Sequence, residues 1–290
     1  MLAEPTIAHQ SEQQHRPAAD LGAAALAAPV LLVLFALLLW PLGVLLLRSV
    51  GAGTGELSLV TYREVLAEER YWRALGNSAL MALASTLGAL FLCTPAALYI
   101  EGQSGYGRRV LAVLLTIPLS LPGVVIGFFV ILFFGRTGVA TGLAQELLGR
   151  RVPPLAYTFW GLLLGYLYFQ IPRVVLVLRG AAAAIDRDSL DAARTLGARP
   201  WQVYAAIVVP ILRPALLSAG SLSMATAFGA FGTAATLSRG YRVVPLEIAA
   251  AFTERFAPEL AATLSVLLAL LTGALLWGLG AAGSRRHGIL

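Results

Sequence analysis

The residues able to carry out covalent or acid–base chemistry are few and poorly placed for it. The three histidines, His9, His15 and His287, lie in polar stretches at the two ends of the chain, so an HExxH-type metal site between apolar segments has no ligands. All 21 basic residues are arginine. Without lysine the phosphate-binding loop GxxxxGK(S/T) cannot be built, and Schiff-base catalysis is excluded on the same ground. No GxSxG is present. The single cysteine, Cys93, sits in an apolar run and allows no intrachain disulfide. What remains is one patterned stretch, Asp191–Pro210, "DAARTLGARPWQVYAAIVVP", whose spacing suits docking rather than reaction.

Read with its flanks, that stretch predicts two helices. Asp186 or Asp188 can cap the first, the acids at 186, 188 and 191 suit its N-terminal end, and Arg194 suits its C-terminal end. Gly197 fits the left-handed residue that stops a helix, and Pro200 fits the first turn of the next. Trp201 and Tyr204 suit a membrane interface, and Pro210 and Pro214 mark the entry into the following apolar run. A bare connection could be much shorter. This one offers a face of Ala192, Ala193, Gly197 and Ala198, small enough for another protein to pack against closely. An ordinary helical hairpin is the competing reading.

The elements that must position this loop are apolar. The chain is 58% hydrophobic and 12% charged, which predicts an all-α, polytopic membrane protein. The net charge of +6 is scattered, with no aromatic-interleaved basic cluster, so a nucleic-acid partner is not expected. Six runs approach the length needed to cross a lipid bilayer, near 21–47, 76–100, 110–134, 156–178, 211–237 and 260–280. The first is longer than a signal-peptide core and reads as a retained anchor. Six spans put both termini on one side, but the arginines divide evenly between the two sides, so charge does not orient the chain. The 49–75 connection, with "TYREVLAEERYWRALG", reads as an amphipathic helix at the interface, and 135–154 looks similar.

Two spans carry unusual chemistry. The third holds Pro118, Pro122, Gly123 and Gly127, which weaken a helix and are tolerated in lipid where protein or a wet cavity satisfies the freed carbonyls. The fifth is rich in small and hydroxyl-bearing residues from Gly220 to Thr236. Pro122, Gly123, Ser223, Thr226, Gly229, Gly232 and Thr233 are therefore candidates for a translocation path, with a proline kink and plain helix packing as the competing readings. Arg173 lies six residues before Arg179, roughly 9 Å along a helix. It reads as an arginine snorkelling to the interface. The span interiors hold no acid, which argues against proton-coupled transport.

The 191–210 stretch resembles the EAA loop of ABC importer permease subunits, whose pattern is E-A-A-x3-G-x9-I-x-L-P. Asp191, Ala192 and Ala193 are followed at the right spacings by Gly197, Ile207 and Val209-Pro210. Asp191 replaces the glutamate and Val209 the leucine, so any salt bridge made by that glutamate is in doubt here. Residues 74–101 also resemble the opening helix of that permease domain. The resemblance implies a polar tail at 1–20, an added span and external connection at 21–73, a permease core at 74–282 with its loop at 185–214, and a tail at 283–290. It further implies a bacterial inner-membrane protein with the loop cytoplasmic, no cofactor and no enzymatic activity of its own. The implied partners are a separate ABC ATP-binding subunit, a second permease subunit (identical or related) and an extracytoplasmic solute-binding protein. The stretches 228–252 and 120–139 look most like permeases for polyamines, iron, phosphonates and sulfate or molybdate, and the expectation leans to a polyamine. A membrane enzyme, and a channel or secondary transporter independent of an ATPase, are the alternatives.

Overall fold

The computed structural model describes residues 21–51, 58–102, 105–149 and 153–284. The expected polar tails, 1–20 and beyond 284, lie outside the described residues. All regular structure among the described residues is helical. Six stretches are long and apolar enough to cross a membrane: Ala28–Ser49, Glu69–Gly102, Gly123–Leu147, Phe159–Ala182, Pro200–Phe228 and Pro258–Gly280.

The chain divides into two units, Met1–Leu46 and Leu47–Leu290. The first contributes most of α1 (residues 21–49), whose side chains from Val30 to Leu39 are largely exposed, as a helix set in hydrocarbon requires. A wide turn at Phe35–Leu39 ends with the Trp40 amide donating to the Phe35 carbonyl, just before Pro41. The second unit contains α2 (Val60–Ala67), α3 (Glu69–Gly102), α4 (Tyr106–Thr116), α5 (Gly123–Phe134), α6 (Val139–Leu148), α7 (Phe159–Ala182) and α8 (Arg187–Thr195). It closes with α9 (Pro200–Phe228), α10 (Phe231–Leu237), α11 (Val244–Thr253) and α12 (Pro258–Ser284).

Helices α3, α7 and α9 pack on one another and form the spine of the bundle. Toward the end away from the loop they bury Met81, Leu162, Tyr166, Met224 and Phe228 with Ile126 of α5 and Leu237 of α10. Toward the loop they bury Ala89, Cys93, Val174, Leu178 and Ala219. With 34 residues α3 is about 51 Å long, well beyond the ~30 Å hydrocarbon core, so both of its ends reach polar surroundings.

The break that Pro118 and Pro122 suggest in the third run is present, and two further expectations, an unbroken fifth run and a short second loop helix, need correction. The third apolar run is not one helix: α4 passes into a tight turn at Ile117–Ser120 and α5 begins afresh at Gly123. Pro118 and Pro122 each lack an amide, and Pro122 takes an extended conformation, so the α-helical ladder cannot run through. The fifth run ends at Phe228 and resumes at Phe231, separated by Gly229 and Ala230. The second loop helix is not a short piece either. It is the first turns of α9, which runs from Pro200 into the span. A wide turn at Tyr204–Val208, with the Val209 amide donating to the Tyr204 carbonyl, lets the helix absorb Pro210. The same device precedes Pro41 in α1.

Candidate functional site

The loop 183–199 is shaped by local hydrogen bonds. Asp186 accepts from the amides of Asp188 (3.1 Å) and Ser189 (3.3 Å) and from the Ser189 hydroxyl (2.7 Å), capping α8. Those bonds, the Ser189 hydroxyl first, hold the Asp186 carboxyl below the usual carboxylate range. At the other end Gly197 takes φ +81°. The Gly197 amide donates to the Arg194 carbonyl at 2.9 Å and the Ala198 amide to the Ala193 carbonyl at 3.1 Å, a Schellman stop. The Arg199 amide then donates to Gln202 Oε1 at 2.7 Å as α9 begins.

This geometry leaves Asp191, Ala192 and Gly197 exposed and Ala193 partly so. Asp191 is held by Arg194 at 2.9 Å, within the loop itself. Ile207 is partly buried and Pro210 exposed, both on α9 beyond the loop. Sequence reasoning missed Leu196, which is 87% exposed beside Gly197. An apolar side chain standing free at a helix stop was the available signal. Leu190 turns inward to pack with Ala182, Val208 and Leu212, which seats α8 against the bundle.

The candidate path residues divide between two tasks. A cavity of ≈ 460 Å³ is bordered by Gly123, Thr226, Gly229, Gly232 and Thr233 together with Phe169 and Arg173. Pro122 is exposed at the start of α5 and Ser223 is buried, and neither borders that cavity. Several cavity residues also form the contact between α5 and α10. Thr233 donates to the Gly123 carbonyl at 3.1 Å, and a Cβ on Gly127 would collide with the Thr236 hydroxyl oxygen. The glycines are thus required for close approach as well as for the cavity wall.

Ser223 belongs to a polar clamp that the sequence did not reveal. Gln170, wholly buried in α7, donates to Ser85 Oγ of α3 at 3.0 Å and accepts from Ser223 Oγ of α9 at 2.7 Å. The three spine helices are pinned at mid-span, with the amide satisfied on both sides.

Arg173 does not snorkel. Its Nη1 donates to the Phe169 carbonyl at 2.8 Å, and its guanidinium lies 5.4 Å from the Phe169 ring centre. Side chains on a helix lean toward its N-terminus, so Arg173 folds back along α7, away from Arg179 and the loop end.

Ion clusters close the two ends of α3. Near the loop, Glu101 pairs with Arg179 of α7 and Arg108 of α4, each at 2.6 Å. At the opposite end Glu247 of α11 pairs with Arg70 (2.8 Å), Arg255 (2.9 Å) and Arg242 (3.1 Å). Burial alone would raise the Glu247 carboxyl, but hydrogen bonds from the three guanidiniums outweigh it and hold the group below the usual carboxylate range.

The family described as "Binding-protein-dependent transport system inner membrane component" matches residues 93–279. The chain belongs to this family. As an ABC importer permease it is a multi-pass protein of the inner membrane, consistent with its six apolar helices. The permease is 28% identical over 221 residues to the putative 2-aminoethylphosphonate transport system permease protein PhnU of Salmonella typhimurium, covering 75% of this chain and 77% of the relative. It is 33% identical over 213 residues to the molybdenum transport system permease protein ModB of Mycobacterium tuberculosis, covering 72% and 78%. Its fold matches a chain in the crystal structure of a bacterial alginate ABC transporter in complex with an alginate pentasaccharide-bound periplasmic protein. That match has a TM-score of 0.78 at 15% identity and covers 92% of this chain and 95% of that one.

Proposed function

We propose that the permease forms one half of a translocation path and couples it, through the loop at 185–214, to ATP hydrolysis on a separate ATP-binding subunit. The observation that carries this reading is the loop itself: capped by Asp186, stopped at Gly197, and presenting an 87% exposed Leu196 beside small side chains. A surface so ordered and so apolar at its tip fits a groove on another protein. With no lysine in the chain, the nucleotide chemistry belongs to that partner. On this reading the loop is cytoplasmic, the second half of the path is another permease subunit, and a solute-binding protein delivers the passenger at the opposite end. The loop residues Asp191, Ala192, Ala193, Gly197, Ile207 and Pro210 then form the docking element and its junction with α9. The expectation of a polyamine passenger is set aside, because the named relatives carry 2-aminoethylphosphonate and molybdenum and no acid borders the cavity.

The first test is co-purification in mild detergent from the native membrane, where an ATPase bearing a phosphate-binding loop is the expected companion. Gly197→Leu sharpens it. A Cβ at Gly197 meets nothing within 4 Å, so the cost is conformational, about 1–2 kcal/mol for a left-handed residue. The variant is expected to insert into the membrane and to lose the ATPase and transport. Retention of both would sink the coupling role of the loop.

A further inference from the structure

The cavity at mid-bundle borders a charge that the fold does not balance. Arg173 lies nine residues before the end of α7 at Ala182, or about 13 Å, which places it within the hydrocarbon depth. The arginines at the two ends of α3 are paired with carboxylates, but among the described residues none lies within ion-pair distance of Arg173. An arginine at that depth is expensive, and one without a counter-ion marks a functional position. The head group is nevertheless fixed, by the Phe169 carbonyl at 2.8 Å and the Phe169 ring at 5.4 Å. Nearby hydroxyls are already committed: Thr226 donates to the Leu222 or Ser223 carbonyl, and Thr233 to that of Gly123. The guanidinium, with one donor used, is the strongest donor left for a ligand.

We propose that Arg173 is the anion contact of the translocation path, and that the passenger is a small tetrahedral oxyanion of the phosphonate or molybdate kind. The proposal rests on the importer reading above. A guanidinium offers two parallel N–H bonds to adjacent oxygens of such a group, whereas it repels a polyamine. The cavity admits a small oxyanion with water around it. One arginine facing hydroxyls that have spent their protons holds the ion without the multiple charged bonds that would trap it.

The test uses the permease co-expressed with the ATP-binding and solute-binding subunits that co-purify with it and reconstituted in proteoliposomes. ATP hydrolysis and uptake of molybdate, sulfate, 2-aminoethylphosphonate and putrescine are measured for the native chain, Arg173→Gln and Arg173→Lys. One or more of the anions is expected to enter. Arg173→Gln is expected to lower that uptake about 10- to 100-fold, the scale of one lost charged hydrogen bond, while the complex stays assembled and hydrolyses ATP. Arg173→Lys is expected to recover part of it. Undiminished anion uptake by Arg173→Gln would overturn the proposal. So would putrescine as the passenger, or an active ATPase that moves none of the anions. A chain that assembles with no ATPase would instead sink the importer reading, and this inference with it.

Discussion

Glu101 and Glu247 cap opposite ends of the same bundle, each hidden from solvent and ringed by arginines, yet they hold different things together. Arg70, a partner of Glu247, and Glu101 itself lie 31 residues apart on α3, about 46 Å along its axis, more than the ~30 Å of a hydrocarbon core. Glu101, 8% exposed, ties α3 to α4 and α7 beside the proposed docking loop, and a cavity of ≈ 470 Å³ lies between it and Asp191 and Arg194. Glu247, 3% exposed, gathers α3, the turn before α11 and the turn after it, with Arg255 also donating to the Tyr71 hydroxyl at 2.8 Å. The far end is therefore cross-braced by three cations on one carboxylate, while the loop end adjoins a void. A bundle that must pass motion from its loop gains from an end that can yield and an end that cannot.

The comparison breaks or holds first on paired charge removals. Glu247→Gln leaves three guanidiniums around a buried amide. Breaking a buried pair costs about 3–5 kcal/mol, and the partial exposure of Arg70 and Arg242 brings the expected loss down to about 2–3 kcal/mol. Glu101→Gln, beside a void and with Arg108 at 47% exposure, is expected to lose less. Thermal unfolding of both variants in detergent reads the difference. Equal losses would mean the two ends are equally braced.

Acid sharpens the same contrast. Because the Glu247 carboxyl is held below the usual carboxylate range, its contribution to stability is fully present above that range and is lost as pH falls through the lowered value. Unfolding followed from neutral pH downward is expected to show an acid limb that Glu247→Gln flattens. An acid limb unchanged in the variant would assign the loss to other carboxylates.

The sequence was most readable where bonding is local. Asp186, Gly197 and Pro200 act on amides and carbonyls within five residues of themselves, so their types and spacing announce the cap, the stop and the restart. The six spans were readable because hydrocarbon demands length and apolarity, which composition displays directly. The weak point of the third span was readable, but not whether it breaks or kinks, because Pro118 and Pro122 interrupt a helix while Pro41, Pro172 and Pro210 are absorbed within one, and neighbours decide which. Gln170 finds Ser85 and Ser223 on two other helices, and Glu247 finds Arg70 across 177 positions. No periodicity carries such pairings. Arg173 was misread because distance to the interface was weighed and the lean of helical side chains toward the N-terminus was not.

The smallest stability effect belongs to the pair at the loop surface. Asp191 and Arg194 meet at 2.9 Å but are 67% and 65% exposed, so a double-mutant cycle is expected to give a coupling within about 0.5 kcal/mol. Asp191→Ala should therefore melt with the native chain. If the loop docks as proposed, the same variant should still reduce ATPase stimulation, because the exposed carboxylate and the position of Arg194 are then read by the partner and not by the fold. A Glu101→Gln variant should show the converse, a measurable loss of stability with the docking surface intact. Should Asp191→Ala destabilise as much as Glu101→Gln, the loop end would be braced from the surface as well as from within, and its claim to be the yielding end would fail.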